Sequence, residues 1–177
     1  MCSSHRADPG HLLPYPAESK GCCRSTALKI CLACSPGGHM DELRRLMPAF
    51  EGKEYFFVTH KYEYSQQLER AYFIEYRKGY IRERITWLKT IFIALHILLK
   101  ERPDVVVSTG GGEIAVPFCY AGKLLGAKVV FIETLARVTT RSAAGRLVYL
   151  IADLFLVQWE PLLKKYGTKA QYWGNVI

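Results

Sequence analysis

The sequence predicts an α/β protein built on a doubly wound, mostly parallel, Rossmann-like sheet. Two observations carry this reading. Short apolar runs such as Asp104–Ser108 (DVVVS) and Lys128–Ile132 (KVVFI) lack the apolar–polar alternation of a half-exposed strand. They read as strands buried on both faces. Helix-like segments separate these runs, and regular strand–helix alternation is the mark of a parallel sheet covered by helices.

Leu28–Cys34 (LKICLAC) is the first expected strand, and Ser35-Pro-Gly-Gly-His39 follows as a turn. Met40, Leu43, Leu46, Met47 and Phe50 then recur at helical spacing, with Asp41 and Glu42 in the first turn, where acids suit the helix dipole. Pro48 should end or kink that helix. Glu54–Thr59 and Tyr72–Tyr76 are expected strands, and Arg82–Lys100 a helix. The strand at Asp104–Ser108 leads through Gly110–Gly112 into a helix at Ile114–Leu125, with Pro117 placed in its first turn and Gly126 as its cap. Beyond the strand at Lys128–Ile132, a helix is expected at Ser142–Ile151 and a strand at Leu154–Val157. A short helix at Glu160–Tyr166 and a final strand at Gln171–Trp173 complete the pattern.

A length of 177 residues suits one domain with a substantial core. Residues 1–27 carry three prolines, two glycines and little periodicity. They are expected to be a flexible leader before a domain at 28–177. They lack the apolar stretch of a secretory signal. No uncharged apolar run reaches the roughly 18 residues of a membrane span. The net charge of +8 is concentrated: residues 77–102 hold seven basic side chains against two acids. Such a patch favours phosphate groups, on a lipid surface or on a pyrophosphate substrate. Nucleic acid fits poorly, because the basic residues are interleaved with a long apolar run rather than with exposed aromatics.

Cys31 and Cys34 form a C-x-x-C spacing. On a strand, positions three apart face opposite sides, so neither a redox pair nor a metal site is expected. Buried, reduced thiols are the expectation.

The carboxyl ends of parallel strands hold the ligands in this class of fold. That rule selects Ser35–His39, Thr109–Glu113, Glu133–Arg137 and Gln158–Trp159 as one rim. Ser35, Gly37 and Gly38 in the first turn, and Thr109, Gly110, Gly111 and Gly112 in the second, are candidate phosphate contacts. Glycine admits close backbone approach and a helix start offers unpaired N–H groups. Neither turn has the dinucleotide or P-loop spacing, and tight turning alone is the competing reading. His39 is a candidate general base toward a sugar hydroxyl, or else a loop histidine. Glu133 is placed to hold a hydroxyl or orient a basic partner, or else is a solvated acid paired with Arg137. Arg137 and Arg141 offer guanidinium forks to pyrophosphate. Within 85–99, apolar residues are flanked by basic clusters. Arg82, Arg84, Trp87, Lys89, Ile91 and Phe92 suit a helix lying in a membrane interface; a core helix is the other reading.

These motifs together resemble the Alg14 family, including bacterial capsule-type members of the PssD/CpsF kind. The resemblance spans about residues 28–177. It rests on Ser35-Pro-Gly-Gly-His39, Ser108-Thr-Gly-Gly-Gly112, Phe131-Ile-Glu-Thr-Leu-Ala-Arg-Val138, Gly145-Arg-Leu-Val-Tyr149, Ala152-Asp153, Val157-Gln-Trp159 and Tyr172-Trp-Gly-Asn175. It implies the N-terminal, acceptor-side half of a GT-B glycosyltransferase. A separate Alg13/PssE-like subunit would bind the UDP-sugar. A polyprenyl-pyrophosphate-linked sugar would be the acceptor, and the cytoplasmic face of an anionic membrane the location, peripherally held. His39 would be the base, Glu133 and Arg137 the family's acidic-arginine loop, and no metal or other cofactor would be needed. The chain ends near Gly174-Asn175, where a two-domain enzyme of this kind would pass into its second domain, so half of an enzyme is the expectation. Eukaryotic members usually begin with a membrane-spanning helix and carry Asn-Gly-Pro-Gly in the second glycine loop. This chain has Ser-Thr-Gly-Gly-Gly and Thr134 in place of serine, which favours a bacterial-type member. A non-catalytic membrane adaptor is the alternative function.

Overall fold

The computed structural model describes residues 28–61, 68, 70–75 and 80–176, and side chains only from residue 89 onward within the long second helix. The expected leader at 1–27 lies outside the described residues.

Seven parallel strands form one sheet: β1 (Lys29–Cys34), β2 (Glu54–His60), β3 (Ala71–Ile74), β4 (Val105–Gly110), β5 (Lys128–Ile132), β6 (Leu154–Val157) and β7 (Ala170–Tyr172). Their order is β3-β2-β1-β4-β5-β6-β7. The helices are α1 (Gly38–Arg45), α2 (Tyr80–Glu101), α3 (Gly112–Leu124), α4 (Ala143–Val148) and α5 (Pro161–Tyr166). A 3-10 turn at Met47–Phe50 carries Pro48 at its start, so the proline ends the first helix.

Alternate side chains of the central strands feed two separate cores. Cys31 and Ala33 of β1, Val106 of β4 and Phe131 of β5 pack on one face with α2, α3, α4 and α5. Ile30, Leu32, Cys34, Val107 and Ile132 pack on the other with Met40 and Leu43 of α1. Burial on both faces explains why the strands read as unbroken apolar runs. Cys31 and Cys34 therefore sit in different cores. Burial pushes the Cys31 thiol well up and that of Cys34 to about 12.

One helix start differs from expectation. α3 begins at Gly112, which puts Pro117 inside the helix rather than in its first turn. The glycine turn winds directly into the helix, and Pro117 is buried in the core beneath it. In α2, Thr90, Ala94, Ile97 and Leu98 face inward, while Phe92 (71% exposed) and Leu99 (57%) face outward. One face of α2 is thus core and the other is exposed.

Candidate functional site

The strand order reverses direction between β1 and β4, and the helices that follow them, α1 and α3, pack on opposite faces of the sheet; ligands in this class of fold bind at the carboxyl ends of the strands at such a switch point. Ser35–His39 and Gly110–Gly112 occupy that position. The two turns are locked together. His39 Nδ1 lies 2.9 Å from the Thr109 carbonyl oxygen. The Thr109 hydroxyl donates to the His39 carbonyl at 2.7 Å. A carbonyl can only accept, so Nδ1 carries the proton and the neutral ring keeps its lone pair on Nε2. Gly110 is required by this packing. A Cβ there would sit 2.7 Å from His39 Cε1, and its φ is +124°.

Ser35, Gly111 and Gly112 line a cavity of about 410 Å³ with Glu113, Val116, Ala143, Ala144 and Leu147. Gly111 adopts the left-handed conformation as the N-cap of α3, and no side chain caps that helix. Its first N–H groups lack intrahelical partners and suit an anion. Gly37 and Gly38 lie exposed at the start of α1. At the neighbouring strand end, His60 Nε2 meets Glu113 Oε2 at 3.2 Å and His60 Nδ1 meets the Ile74 carbonyl at 3.1 Å.

Glu133 corrects an expectation. It is only 1% exposed. One carboxylate oxygen accepts from the Tyr166 hydroxyl and from the Ser142 N–H (3.2 Å), and the other from the Thr134 N–H (3.0 Å). It is neither solvated nor paired with Arg137. Its geometry is that of a positioning residue, which folds the loop back onto α4. Burial, with the Glu133 carboxylate next in weight, pushes the Tyr166 phenol well above its ordinary range. Arg137 and Arg141 stand exposed on this loop. The Arg137 guanidinium donates to Thr140 at 3.3 Å, and that of Arg141 lies 5.9 Å from the centre of the Tyr166 ring.

Glu42 was read from sequence only as a helix-dipole acid, and it does more. From α1, one turn beyond His39, it accepts from the Thr134 hydroxyl at 2.7 Å, the Leu135 N–H at 3.2 Å and Gln158 Nε2 at 2.8 Å. Gln158, 1% exposed, also donates to the Glu133 carbonyl and accepts from the Val176 N–H. These residues bind the histidine helix, the arginine loop and the last residues of the chain into one frame. The spacing of Glu42 after the Gly-Gly-His turn was the one available hint, but its partners lie about a hundred residues away.

Among the candidate membrane residues, Lys89 and Phe92 are exposed, and Ile91 lines an apolar cavity. The side chains of Arg82, Arg84 and Trp87 lie outside the described residues. No described helix is long and apolar enough to cross a membrane.

A family model described as "Oligosaccharide biosynthesis protein Alg14 like" matches residues 30–176. The chain belongs to the Alg14 family. It is 26% identical over 183 residues to the human UDP-N-acetylglucosamine transferase subunit ALG14, covering 85% of this chain and 84% of the human one. The subunit of the same name from Schizosaccharomyces pombe is 29% identical over 168 residues, covering 79% of each. That from Candida albicans is 37% identical over 106 residues, covering 56% of this chain and 48% of its own length. These relatives are eukaryotic, and they lend no support to the expected bacterial capsule-type assignment. In fold, the chain is similar to Acinetobacter baumannii MurG, with a TM-score of 0.67 at 16% identity over 84% of this chain and 45% of MurG. The Staphylococcus aureus MnaA–UDP structure gives 0.68 at 15% identity over 84% and 45%. The Alg14 chain thus spans about half the length of these solved structures and shares their N-terminal Rossmann-like architecture.

Proposed function

We propose that this Alg14-family chain is the acceptor-binding subunit of a two-part glycosyltransferase. The donor is UDP-N-acetylglucosamine, held mainly by a separate donor-binding subunit, and the acceptor is a sugar on polyprenyl pyrophosphate. The observation that carries this reading is His39. Its Nδ1 is engaged by the Thr109 carbonyl, so Nε2 is the basic atom, and the ring packs on Gly110 of the glycine turn at the strand switch. In the proposed reaction Nε2 takes the proton of an acceptor hydroxyl as its oxygen bonds to the donor's anomeric carbon. The bond from that carbon to the diphosphate breaks, and UDP leaves with the electron pair. Arg137 and Arg141 stand where they can meet the acceptor pyrophosphate. Glu133 and Glu42 hold their loop. The outward apolar residues of α2 with Lys89 and Lys100 suit peripheral contact with an anionic membrane at the cytoplasmic face.

The test is transfer of labelled sugar from UDP-N-acetylglucosamine to a lipid-linked acceptor, by this chain alone and with its donor-binding subunit. Transfer only by the pair supports the reading. Transfer by this chain alone refutes the division of labour. A pair that works equally well with His39→Ala leaves this chain as an adaptor.

A further inference from the structure

Gln158 follows β6 directly and is 1% exposed. A buried amide is tolerated where its polar atoms are paired, and both of them are. Nε2 donates to Glu42 Oε2 at 2.8 Å and to the Glu133 carbonyl at 3.0 Å. Oε1 accepts from the Val176 N–H at 2.9 Å. The reversed amide would set its oxygen against a carboxylate and a carbonyl, so only one orientation fits.

From Glu42 the hydrogen bonds continue into the arginine loop. Oε1 of Glu42 accepts from the Thr134 hydroxyl and the Leu135 N–H. Thr134 in turn accepts the Ala136 N–H on its hydroxyl at 3.4 Å and the Arg137 N–H on its carbonyl at 3.0 Å. Trp159, beside Gln158, donates from Nε1 to the Leu135 carbonyl at 2.8 Å. Residues 136–141 are exposed, and the Ser142 N–H ties the far end of the loop to Glu133. The direction in which Arg137 leaves the sheet is therefore set at the near end, through Thr134 and Glu42, by Gln158.

The other side of the amide meets the segment after β7. Trp173 in that segment is 69% exposed, and residues 173–176 border a cavity of about 610 Å³ that Gln158 also lines. With little burial to hold the segment, the bond from Val176 to Gln158 fixes its place against the sheet.

We propose that Gln158 is a positioning residue for acceptor binding. It aims Arg137 and Arg141 through Glu42 and Thr134, and it makes their setting depend on where residues 173–176 lie. The residue touches no substrate itself. This rests on the acceptor reading above and names what controls affinity within it. His39 is held separately, by its two bonds to Thr109, so the effect falls on binding rather than on proton transfer.

The test measures acceptor KM and kcat in the subunit pair, with the partner saturating. Gln158→Met keeps the length of the side chain and removes its hydrogen bonds. It should raise KM by about 10- to 100-fold and leave kcat within about twofold. Gln158→Glu sets a second carboxyl against Glu42. Arg45 lines the same cavity, and the Glu133 carboxylate is engaged by Tyr166 and Ser142. At about pH 8 the KM of Gln158→Glu should match that of Gln158→Met. On acidification to about pH 5 the two carboxyls share a proton, which restores a donor to Glu42. The KM of Gln158→Glu should then fall at least about threefold below that of Gln158→Met. Val176→Pro deletes the one N–H that Oε1 accepts, and should raise KM by roughly 2- to 10-fold.

A KM gap that ignores pH in Gln158→Glu, or a loss confined to kcat, would mean that Gln158 only supports the fold, and overturns the proposal. An original KM in Val176→Pro overturns the dependence on residues 173–176. Amide exchange needs no substrate: protection across residues 135–141 should fall in Gln158→Met and recover with acid in Gln158→Glu. Unchanged protection in both also overturns the proposal. If the unaltered pair transfers nothing, the acceptor reading fails by itself, and the exchange measurement still decides whether Gln158 sets the loop.

Discussion

His39 and Thr109 hold each other by two reciprocal hydrogen bonds, ring to carbonyl at 2.9 Å and hydroxyl to carbonyl at 2.7 Å. Each turn thereby fixes the backbone and side chain of the other, and the ring is held in one tautomer. Removing the base with His39→Ala should lower transfer by the subunit pair by about 10²–10⁴-fold, chiefly in kcat. An unchanged rate constant would remove His39 from the reaction.

Gly110→Ala tests the same contact from the other side. Its Cβ would meet the His39 ring at 2.7–2.8 Å, and the backbone φ of +124° disfavours any side chain. The expected result is a loss of activity approaching that of His39→Ala, with a stability cost of about 1–3 kcal/mol. Denaturant titration beside the rate measurement checks both. Activity near the original level would show that the ring can shift freely.

Glu42 ties α1 to the arginine loop, and its loss leaves three donors without their acceptor. Glu42→Ala should cost about 1–3 kcal/mol. It should also raise amide exchange in residues 133–141 more than elsewhere. Glu42→Gln keeps one acceptor oxygen but sets an amide donor against other donors, so it should fall between. If exchange in this loop is unaltered in both variants, Glu42 does not hold it.

Asp153, the residue before β6, ties the entry to that strand to the start of β5. Burial pushes its carboxyl up. The Lys123 ammonium at 2.8 Å, the Val129 N–H at 2.8 Å and Lys128 outweigh this and hold it at about 2. Because the folded value lies below the ordinary 3.8, the contribution is present above that value and lost as pH falls through the folded one. Asp153→Asn should therefore be less stable than the original at neutral pH, and the gap should narrow below about pH 4. Denaturation midpoints across that range read this directly. A gap independent of pH would rule out the charge as its source.

Cys31, Cys34 and Cys119 are buried with raised thiol values, that of Cys34 at about 12. A neutral, enclosed thiol does not attack alkylating agents. Iodoacetamide near pH 8, read by peptide mass, should modify these three only after denaturation. Labelling of Cys34 in the folded chain would show that α1 opens.

Much of this fold was legible because its signals are local. The expected strands and helices at the described residues all form, including the short β3, α5 and β7. Unbroken apolar runs reported burial on both faces, and glycine turns after strands reported the rim. Pro117 was misplaced because a helix start depends on turn geometry, which spacing alone does not fix. Glu133 was read as facing a ligand because an acid at a strand end looks exposed in one dimension. Its enclosure depends on Tyr166, 33 residues on, and on Gly145. There a Cβ would collide with the Glu133 carboxylate and the Tyr166 hydroxyl.

The sequence by itself determined the strand–helix alternation, the two glycine turns and the residues at the strand ends, since each depends on neighbours within a few positions. Only the tertiary structure decided which of those residues stay exposed at the strand ends and which, like Glu133 and Gln158, are enclosed in a hydrogen-bonded frame. It also decided that Glu42 of α1 would meet Thr134 and Gln158, about a hundred residues away. Such relations depend on contacts between segments far apart in the chain. Those contacts form only when the sheet orders its strands and the helices pack against it, and no local pattern records them.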